Sequence, residues 1–401
     1  MKRKNMVALI LILILITLGI TYKILPKIVL NDKNKSNEVI ENKTTEEKKD
    51  YSTLNLTVVG DFLFESPYYK SIENGDNKDL YFNKVKSYFN DDDISIGNME
   101  VVIGNDNMKI SGDGYNFCAP SWIGPLVSSL DLEVLSTANN HSYDRGVEGI
   151  NSTIDYFKNN TDIVTLGTEK QGNTRKTRII EKNGLKIGFA SFTLGTNIKP
   201  SKENVSLINY YKDPYTKEIL KNQMSEEISY LKKNADIIIT LMHWGTEFTF
   251  YPNDEQKEMA NYLNSLGVDI IVGSHSHSIQ PIEIIGEDKK TLVYYSLGNF
   301  VSADDDIART PKGQETFDNA YQFGLLSKIS LKINKDNNIE FDNIKTEPII
   351  NYFNKDMRNF ELIPLSEYNE TYEKSHYRYN LGLSKDFINK TFNNVIDENF
   401  R

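Results

Sequence analysis

The chain has 401 residues, of which 39% are hydrophobic and 25% are charged, and this composition is typical of a globular protein. Its formal net charge of −10 argues against a nucleic-acid partner, because proteins that bind nucleic acids favour a basic face. The single cysteine, Cys118, excludes both an internal disulfide framework and a zinc site built from cysteines.

A signal for membrane attachment stands at the start of the chain. Three basic residues at positions 2–4 precede an uncharged run over residues 5–22 that is rich in Leu and Ile. A run of this length is close to the roughly 20 residues that span a bilayer, and no small-x-small cleavage motif follows it. We therefore predict an uncleaved anchor over residues 1–30, with the N-terminus in the cytoplasm and the large remainder outside the cell. The polar residues 31–50 predict a flexible linker.

Several predicted strands end just before polar side chains of the kind that bind metals. The predicted strands cover residues 54–59, 94–96, 132–137, 236–242 and 269–272. The polar side chains that follow them are, in the same order, Asp61, then Asn98 or Glu100, then Asn139, Asn140, His141 and Asp144, then His243, and finally His275 and His277. Because the carboxyl ends of parallel strands meet at one edge of a sheet, these groups are expected to share a site.

Helical periodicity alternates with these strands. Amphipathic helices are predicted over residues 122–130, 147–159, 225–234 and 253–267, and Asn183-Gly184 predicts the turn of a hairpin. Further β structure is predicted over residues 323–350. The alternation indicates one α/β domain over residues 51–350, followed by a C-terminal extension over residues 351–401.

The distribution of histidines is the main indication of function. Four of the five histidines follow predicted strands, and only His376 lies elsewhere. Side chains alternate along a strand, so His275 and His277 are predicted to point to the same side. Mixed oxygen and nitrogen ligands suit zinc, manganese or iron, and the pattern predicts a site for one or two such ions. The competing interpretation, that each histidine is an ordinary core or surface residue, is weaker for four of five residues at such junctions.

Taken together, the motifs resemble those of the CapA (PgsA) family of capsule-biosynthesis proteins. The matching segments are Gly60-Asp61, Gly97-Asn98-Met99-Glu100, Ala138-Asn139-Asn140-His141-Ser142-Tyr143-Asp144-x-Gly146, His243-Trp244-Gly245-Thr246-Glu247, Gly273-Ser274-His275-Ser276-His277-Ser278-Ile279-Gln280-Pro281-Ile282-Glu283 and Tyr295-Ser296-Leu297-Gly298-Asn299-Phe300. The resemblance implies a role in making, exporting or anchoring poly-γ-glutamate at the cell surface. It implies three partners, namely the membrane, membrane-embedded synthase subunits and the polyanionic polymer.

That family is in turn similar to the calcineurin-type metallophosphoesterases, which implies an α/β sandwich of two mixed β-sheets flanked by helices. The ligand positions that this resemblance carries over are Asp61, Asn140, His243, His275 and His277, with His141 in the outer acid position. The sequence departs from the superfamily pattern at Leu63, where the first motif has His, and at Asn98, where the second has Asp. Glu100 is therefore the expected carboxylate of the second motif.

Two functional hypotheses follow. In the first, the chain is a non-catalytic CapA-like subunit that uses its metal pocket in capsule synthesis, and metal or local Lys and Arg residues meet the polyanion despite the acidic surface. In the second, it is an extracellular metal-dependent hydrolase of a phosphoester or of the γ-glutamyl polymer. Asp61 and Glu100 then bind and bridge metal, while His141, oriented by Asp144, stabilises the leaving group or oxyanion.

Overall fold

A computed structural model of the chain describes residues 51–401 except residues 115, 174–175 and 304–314. In chain order the strands are β1 (Tyr51–Phe62), β2 (Ile94–Met99), β3 (Val134–Ser136), β4 (Val164–Leu166), β5 (Arg178–Lys182), β6 (Leu185–Thr193), β7 (Ile237–His243), β8 (Ile270–Ser274), β9 (Ile282–Ile285), β10 (Thr291–Tyr294), β11 (Asn299–Val301), β12 (Phe323–Asn334), β13 (Ile339–Tyr352) and β14 (Glu361–Pro364).

These strands form two mixed sheets, as predicted. The first sheet has the order β14-β13-β12-β1-β2-β3-β4, and β11 pairs with the end of β1. In it, β1 to β4 are parallel, whereas β12, β13 and β14 are antiparallel to their neighbours. The second sheet has the order β5-β6-β7-β8-β10-β9, with a parallel centre and an antiparallel strand at each edge.

Helices pack against both sheets. In chain order they are α1 (Ser66–Glu73), α2 (Ile123–Ser128), α3 (Gly146–Asn160), α4 (Lys221–Asn234), α5 (Asp254–Leu266), α6 (Glu315–Ala320), α7 (Glu370–Ser375) and α8 (Lys385–Val395). Side chains of α1, α2 and α3 pack in one core with the first sheet, and side chains of α4 and α5 pack in another with the second. The predicted sandwich flanked by helices is therefore the observed architecture.

The continuous apolar run of β7 is explained by burial on both faces. Ile237, Ile239 and Leu241 lie in the core between the two sheets, whereas Ile238 and Met242 lie in the core beneath α4 and α5. Successive side chains of a strand point to opposite faces, so a central parallel strand needs apolar residues at every position. This burial positions the end of β7, and with it the side chain of His243.

Two short-range predictions agree with the structure. The predicted hairpin turn joins β5 and β6 through Asn183 and Gly184, whose φ angles of 55° and 76° are those of a tight primed turn. The helix predicted to start at residue 253 begins one residue later, because Asn253 forms a capping box with Gln256, and it ends before Gly267, whose φ is 96°.

The residues after position 350 continue the same sheet and core. β13 runs to Tyr352, and β14 pairs with its last part. Ile388 and Phe392 of α8 then pack into the core between the sheets. The predicted anchor and linker, residues 1–50, lie outside the described residues. Among the helices that the structure does describe, none is long and apolar enough to cross a membrane.

The buried side chain of His376 connects the C-terminal segment to β13, and its protonation should reduce stability. Its Nε2 lies 3.0 Å from the Asn351 carbonyl oxygen, and its Nδ1 accepts the Arg378 backbone N–H at 3.0 Å. Burial lowers its pKa from 6.5 to about 4. The unfolded chain therefore binds a proton before the folded chain does, so we expect this stabilisation to be lost as pH falls from about 6.5 to 4, by up to about 3 kcal/mol.

This linkage is measured as the free energy of unfolding of wild type and His376→Gln across pH 4 to 8. Other groups titrate in the same window, so the informative quantity is the difference between the two curves. That difference should shrink as pH falls from about 6.5 to 4. Two curves that run parallel throughout would contradict the prediction.

Candidate metal site

Strand ends from both sheets meet at one edge of the sandwich and carry the predicted polar side chains there. Asp61 lies near the end of β1, Glu100 directly follows β2, and His243 is the last residue of β7. Gly60 allows this approach, because a Cβ atom at that position would lie 1.9 Å from the carbonyl oxygen of Gly298. The expected convergence of these side chains at a common edge is observed.

Asn98 connects the two sheets within this site. Its Nδ2 donates to Asp61 Oδ1 at 2.7 Å and lies 3.3 Å from His243 Nδ1. Its Oδ1 accepts from Asn139 Nδ2 at 3.2 Å. Both ends of the Asn98 amide are thus occupied by neighbouring side chains. This arrangement favours Asn98 as a residue that orients Asp61 and leaves Glu100 as the available carboxylate.

Glu100 occupies the centre of the site. Its side chain is fully buried, and neither of its carboxylate oxygens has a hydrogen-bond partner in the part of the chain that the structure describes. Its Oε1 lies 3.4 Å from His243 Nε2 and 3.8 Å from His277 Nε2. An uncompensated carboxylate in such a place is strongly unfavourable, so these surroundings fit a bound cation.

Two overlapping groups of side chains could hold a metal ion. Asp61, Glu100 and His243 form one group, and Glu100, His275 and His277 form the other; within each group the ligand atoms lie within 4.8 Å of one another. Glu100 belongs to both groups. His275 Nδ1 is also buried without a hydrogen-bond partner among the described residues. The donor set of carboxylates and imidazoles therefore fits one divalent metal, or two metals that share Glu100.

His275 and His277 share the site for a different reason from the one predicted. β8 ends at Ser274, and the two histidines lie in a turn beyond it, with φ angles of 94° and 50°. Strand alternation therefore does not place them, and the geometric reason given from the sequence was wrong. The turn is held from other strands, since His275 N donates to Asp61 Oδ2 at 3.1 Å and His277 Nδ1 lies 2.9 Å from Asn299 Oδ1. Left-handed backbone at bulky residues is costly and is found at functional sites.

Asn140 also reaches the pocket. Its Oδ1 lies 2.9 Å from His243 Nε2, the nitrogen that faces Glu100. Ser274 Oγ lies 2.8 Å from the other nitrogen of the same ring and fixes the ring plane. The structure thus brings all six predicted ligand residues together: Asp61, Glu100, Asn140, His243, His275 and His277.

His141 and Asp144 form a buried pair beside this pocket. His141 Nδ1 lies 2.7 Å from Asp144 Oδ2, which also accepts the backbone N–H of Phe117 at 2.6 Å. The Phe117 ring meets the imidazole edge-on, with 4.6 Å between ring centroids. The other imidazole nitrogen, Nε2, lies 3.4 Å from Asn197 Nδ2. This contact places Asp144 where it can orient the His141 ring.

Burial and charge set the protonation of the site. Burial, with the nearby charge of Glu100, raises the pKa of Asp61 well above its ordinary value, and burial also raises the pKa of Glu100. Burial lowers the pKa of His243 and of His275 well below the ordinary value. Neutral imidazoles are the form that binds metals, and a cation beside the carboxyls would favour their ionised form.

The pKa values of the other two histidines of the site, His277 and His141, are raised. Burial by itself would lower the pKa of His277, but the charges of Glu100 and Asp61 outweigh burial and raise it. For His141, likewise, the hydrogen bond and charge of Asp144 outweigh burial and raise the pKa.

Sequence reasoning missed several residues that support the site. Asn299 positions His277, Ser274 positions His243, and Asn197 contacts both Asn140 and His141. Gly298-Asn299 repeats the Gly-Asn pair at positions 97–98, and that repetition is a signal for Asn299. Asn197 lies in a loop without any recognisable pattern, so only the structure identifies it.

Comparison with known proteins gives a family for the chain. A sequence model of the family "Bacterial capsule synthesis protein PGA_cap" matches residues 55–304. The chain is 32% identical over 263 residues to the PGA biosynthesis protein CapA of Bacillus subtilis strain 168, covering 64% of this chain and 66% of that protein. It is 29% identical over 254 residues to the capsule biosynthesis protein CapA of Bacillus anthracis, covering 62% and 59%. Each match spans less than two thirds of the relative's length.

Solved structures of nucleotidases are more distant. The NAD nucleotidase of Haemophilus influenzae aligns at 11% identity and a TM-score of 0.43, covering 88% of this chain and 58% of that one. A 5'-nucleotidase from Candida albicans aligns at 11% identity and a TM-score of 0.40, covering 85% and 58%. Neither TM-score supports an argument about function.

The family match, by contrast, covers more than half of the chain and includes every predicted ligand of the buried pocket. The chain therefore belongs to the family of bacterial capsule synthesis proteins PGA_cap.

Proposed function

We propose that the chain is a membrane-anchored CapA-like protein that acts in the synthesis, export or anchoring of a poly-γ-glutamate capsule. It does so beside membrane-embedded synthase subunits, and its buried pocket holds one or two divalent metals, with Mn, Zn or Fe as candidates. The family and the names of two relatives support the capsule role. The pocket is the part of the molecule through which it acts on an anionic group.

The metal assignment rests on the burial and the surroundings of Glu100. Its carboxylate is fully buried, has no hydrogen-bond partner among the described residues, and lies within 4 Å of two histidine nitrogens. The supporting amides are already in place, since Asn98 holds Asp61 and Asn299 holds His277. A divalent metal, when bound, supplies the positive charge that stabilises an anionic oxygen of a carboxylate or phosphate.

Metal content of the purified chain tests this proposal. We expect wild type to retain divalent metal, because the pocket otherwise buries uncompensated carboxylates. Glu100→Gln removes a charged ligand that both groups share, so its metal affinity should fall by more than about 100-fold. The measurement is elemental analysis by mass spectrometry, followed by titration of the metal-free protein with Mn²⁺ and Zn²⁺.

The matched control is Glu227→Gln, which removes a half-buried carboxylate outside the pocket, where it accepts from Asn209 Nδ2 at 2.8 Å. It should leave metal content unchanged. Equal metal content in wild type and Glu100→Gln, or a wild-type chain that binds neither ion, would contradict the metal assignment.

A second candidate function is hydrolysis of a phosphoester or of the γ-glutamyl amide by the metal-loaded pocket. The pairing of His141 with Asp144 favours it, because a buried carboxylate at 2.7 Å orients the imidazole beside the proposed metal ligands. In this role His141 donates a proton to the leaving group or stabilises the oxyanion, and Asp144 holds the ring in place.

Turnover separates the two candidates. If the chain is a hydrolase, His141→Gln should lower kcat by about 10²–10⁴-fold without loss of metal, since it removes general acid–base catalysis alone. Asp144→Asn should lower kcat less, because the ring remains present. Assays use model phosphoesters and poly-γ-glutamate with metal-loaded protein. A metal-loaded wild type that turns over none of them excludes the hydrolase, and the capsule role then rests on a non-catalytic pocket.

The proposed anchor has a separate test on intact cells. We expect protease added outside cells to digest the region after residue 50, because only the N-terminus lies in the cytoplasm. N-terminal sequencing of the surface protein should find residues 5–22 still attached. A mature chain that begins near residue 25 would mean that the segment is a cleaved signal peptide.

A further inference from the structure

A second cavity lies away from the metal pocket and shares none of its residues. Its volume is about 600 Å³, which is within the range of small-molecule binding sites. It lies beside β12 and β13, where the turn after β14, the helix α8 and the last residue approach the sheet. The residues that line it are Tyr88, Leu326, Lys328, Lys345, Thr346, Glu347, Pro348, Leu365, Ser366, Lys385, Asn389, Phe392 and Arg401. We name it the β12–β13 groove.

The floor of the β12–β13 groove is apolar. Leu326 and Phe392 are 2% and 7% exposed, so their side chains are fixed in the surrounding cores. Pro348 and Leu365 complete the wall, and the backbone N–H of Leu365 donates to the Pro348 carbonyl at 2.9 Å. A ligand that fits here carries an apolar part of its own.

Lysines surround this apolar floor. Lys328 and Lys345 are direct partners on antiparallel strands, and like charges at such positions repel each other. Within the part of the chain that the structure describes, neither ammonium has a carboxylate within 4.0 Å. Lys385 lies on the opposite wall, where its Nζ donates to the Tyr368 carbonyl at 2.8 Å. The three lysines of the groove thus have no carboxylate partner among the described residues.

The acidic residue of the lining, Glu347, forms no ion pair with these lysines. Glu347 Oε2 accepts from the Tyr88 hydroxyl at 2.7 Å, and its Oε1 accepts from Ser366 N at 2.8 Å. Both oxygens of Glu347 therefore link β13 to other parts of the groove wall. Asp92 feels the charge of Lys328, but the two groups are not within ion-pair distance. Repulsion between partner lysines is unfavourable in the free protein, and a bound anion relieves it.

We propose that the β12–β13 groove binds an extended chain of carboxylates, in particular a segment of γ-linked glutamate polymer. This inference rests on the proposed function, because that function brings the polymer to the protein. The chain as a whole carries a net charge of −10 and repels a polyanion, so contact needs a local cationic site. Several separate ammonium groups suit a ligand with repeated carboxylates, and the apolar floor suits the methylene groups between them.

Binding of a labelled poly-γ-glutamate oligomer to the purified full-length chain in detergent tests the inference. Fluorescence polarisation at low ionic strength should show binding that weakens as salt is added. The double variant Lys328→Gln, Lys345→Gln should bind about tenfold more weakly, since two ion pairs are lost. Its Tm should be equal to or above that of wild type, because the cross-strand repulsion is removed. That result separates loss of binding from loss of folding.

A matched control removes the same charge from two exposed lysines elsewhere, Lys233 on α4 and Lys257 on α5. Lys233→Gln, Lys257→Gln should bind the oligomer as wild type does. The titration is repeated after divalent metal has been removed with a chelator. Binding that depends on Lys328 and Lys345 should persist, so failure of the metal assignment and failure of the groove give different results.

Three results would overturn the inference. One is the absence of oligomer binding by wild type up to millimolar concentrations. Another is equal affinity in the Lys328→Gln, Lys345→Gln variant and in wild type. The third is binding of phosphatidylglycerol vesicles that depends on both lysines while the oligomer does not bind, which would assign the groove to a lipid surface.

Discussion

The buried carboxylate of Glu100 is the constraint on which the organisation of the site depends. It stands where β1 and β2 of one sheet meet β7 and β8 of the other, and the described residues give it imidazole neighbours but no hydrogen-bond donor. Burial of an uncompensated charge is far more costly than any single packing contact. The sandwich can bring these strand ends together because both sheets share one apolar core, so the stability of that core maintains the arrangement of the pocket.

Side-chain amides form hydrogen bonds that connect the two sheets at this site. Asn98 links Asp61 with His243, Asn139 fixes Asn98, and Asn299 fixes His277. Each amide uses both a donor and an acceptor and adds no charge to a site that already holds two carboxylates. The turn at His275 is held by its backbone N–H, which donates to the Asp61 carboxylate. Neutral partners of this kind orient side chains that can bind a metal.

The distribution of charge separates two regions of the molecule that have different chemistry. The buried pocket around Glu100 concentrates carboxylates and imidazoles, whereas the β12–β13 groove concentrates lysines on an otherwise acidic protein. A polyanion is repelled by most of this surface and attracted only where positive charge is exposed. We propose separate roles for the two regions: the buried pocket binds single anionic groups, and the groove binds the polymer.

The sequence by itself determined the α/β class and the set of residues at the strand ends, because alternating and continuous apolar runs indicate which local segments are buried. The two-sheet sandwich was implied by the resemblance to a known superfamily and not by these patterns. It left Asn98 and Glu100 as alternatives, since only the contacts of Asn98 with Asp61 and Asn139 reveal which side chain remains available. It gave the wrong reason for the pairing of His275 with His277, because a turn held by distant strands leaves no periodic pattern. Only the tertiary structure reveals the groove. Lys328, Lys345 and Lys385 come from three elements, and the strand register and helix packing that bring them together depend on residues far apart in the sequence.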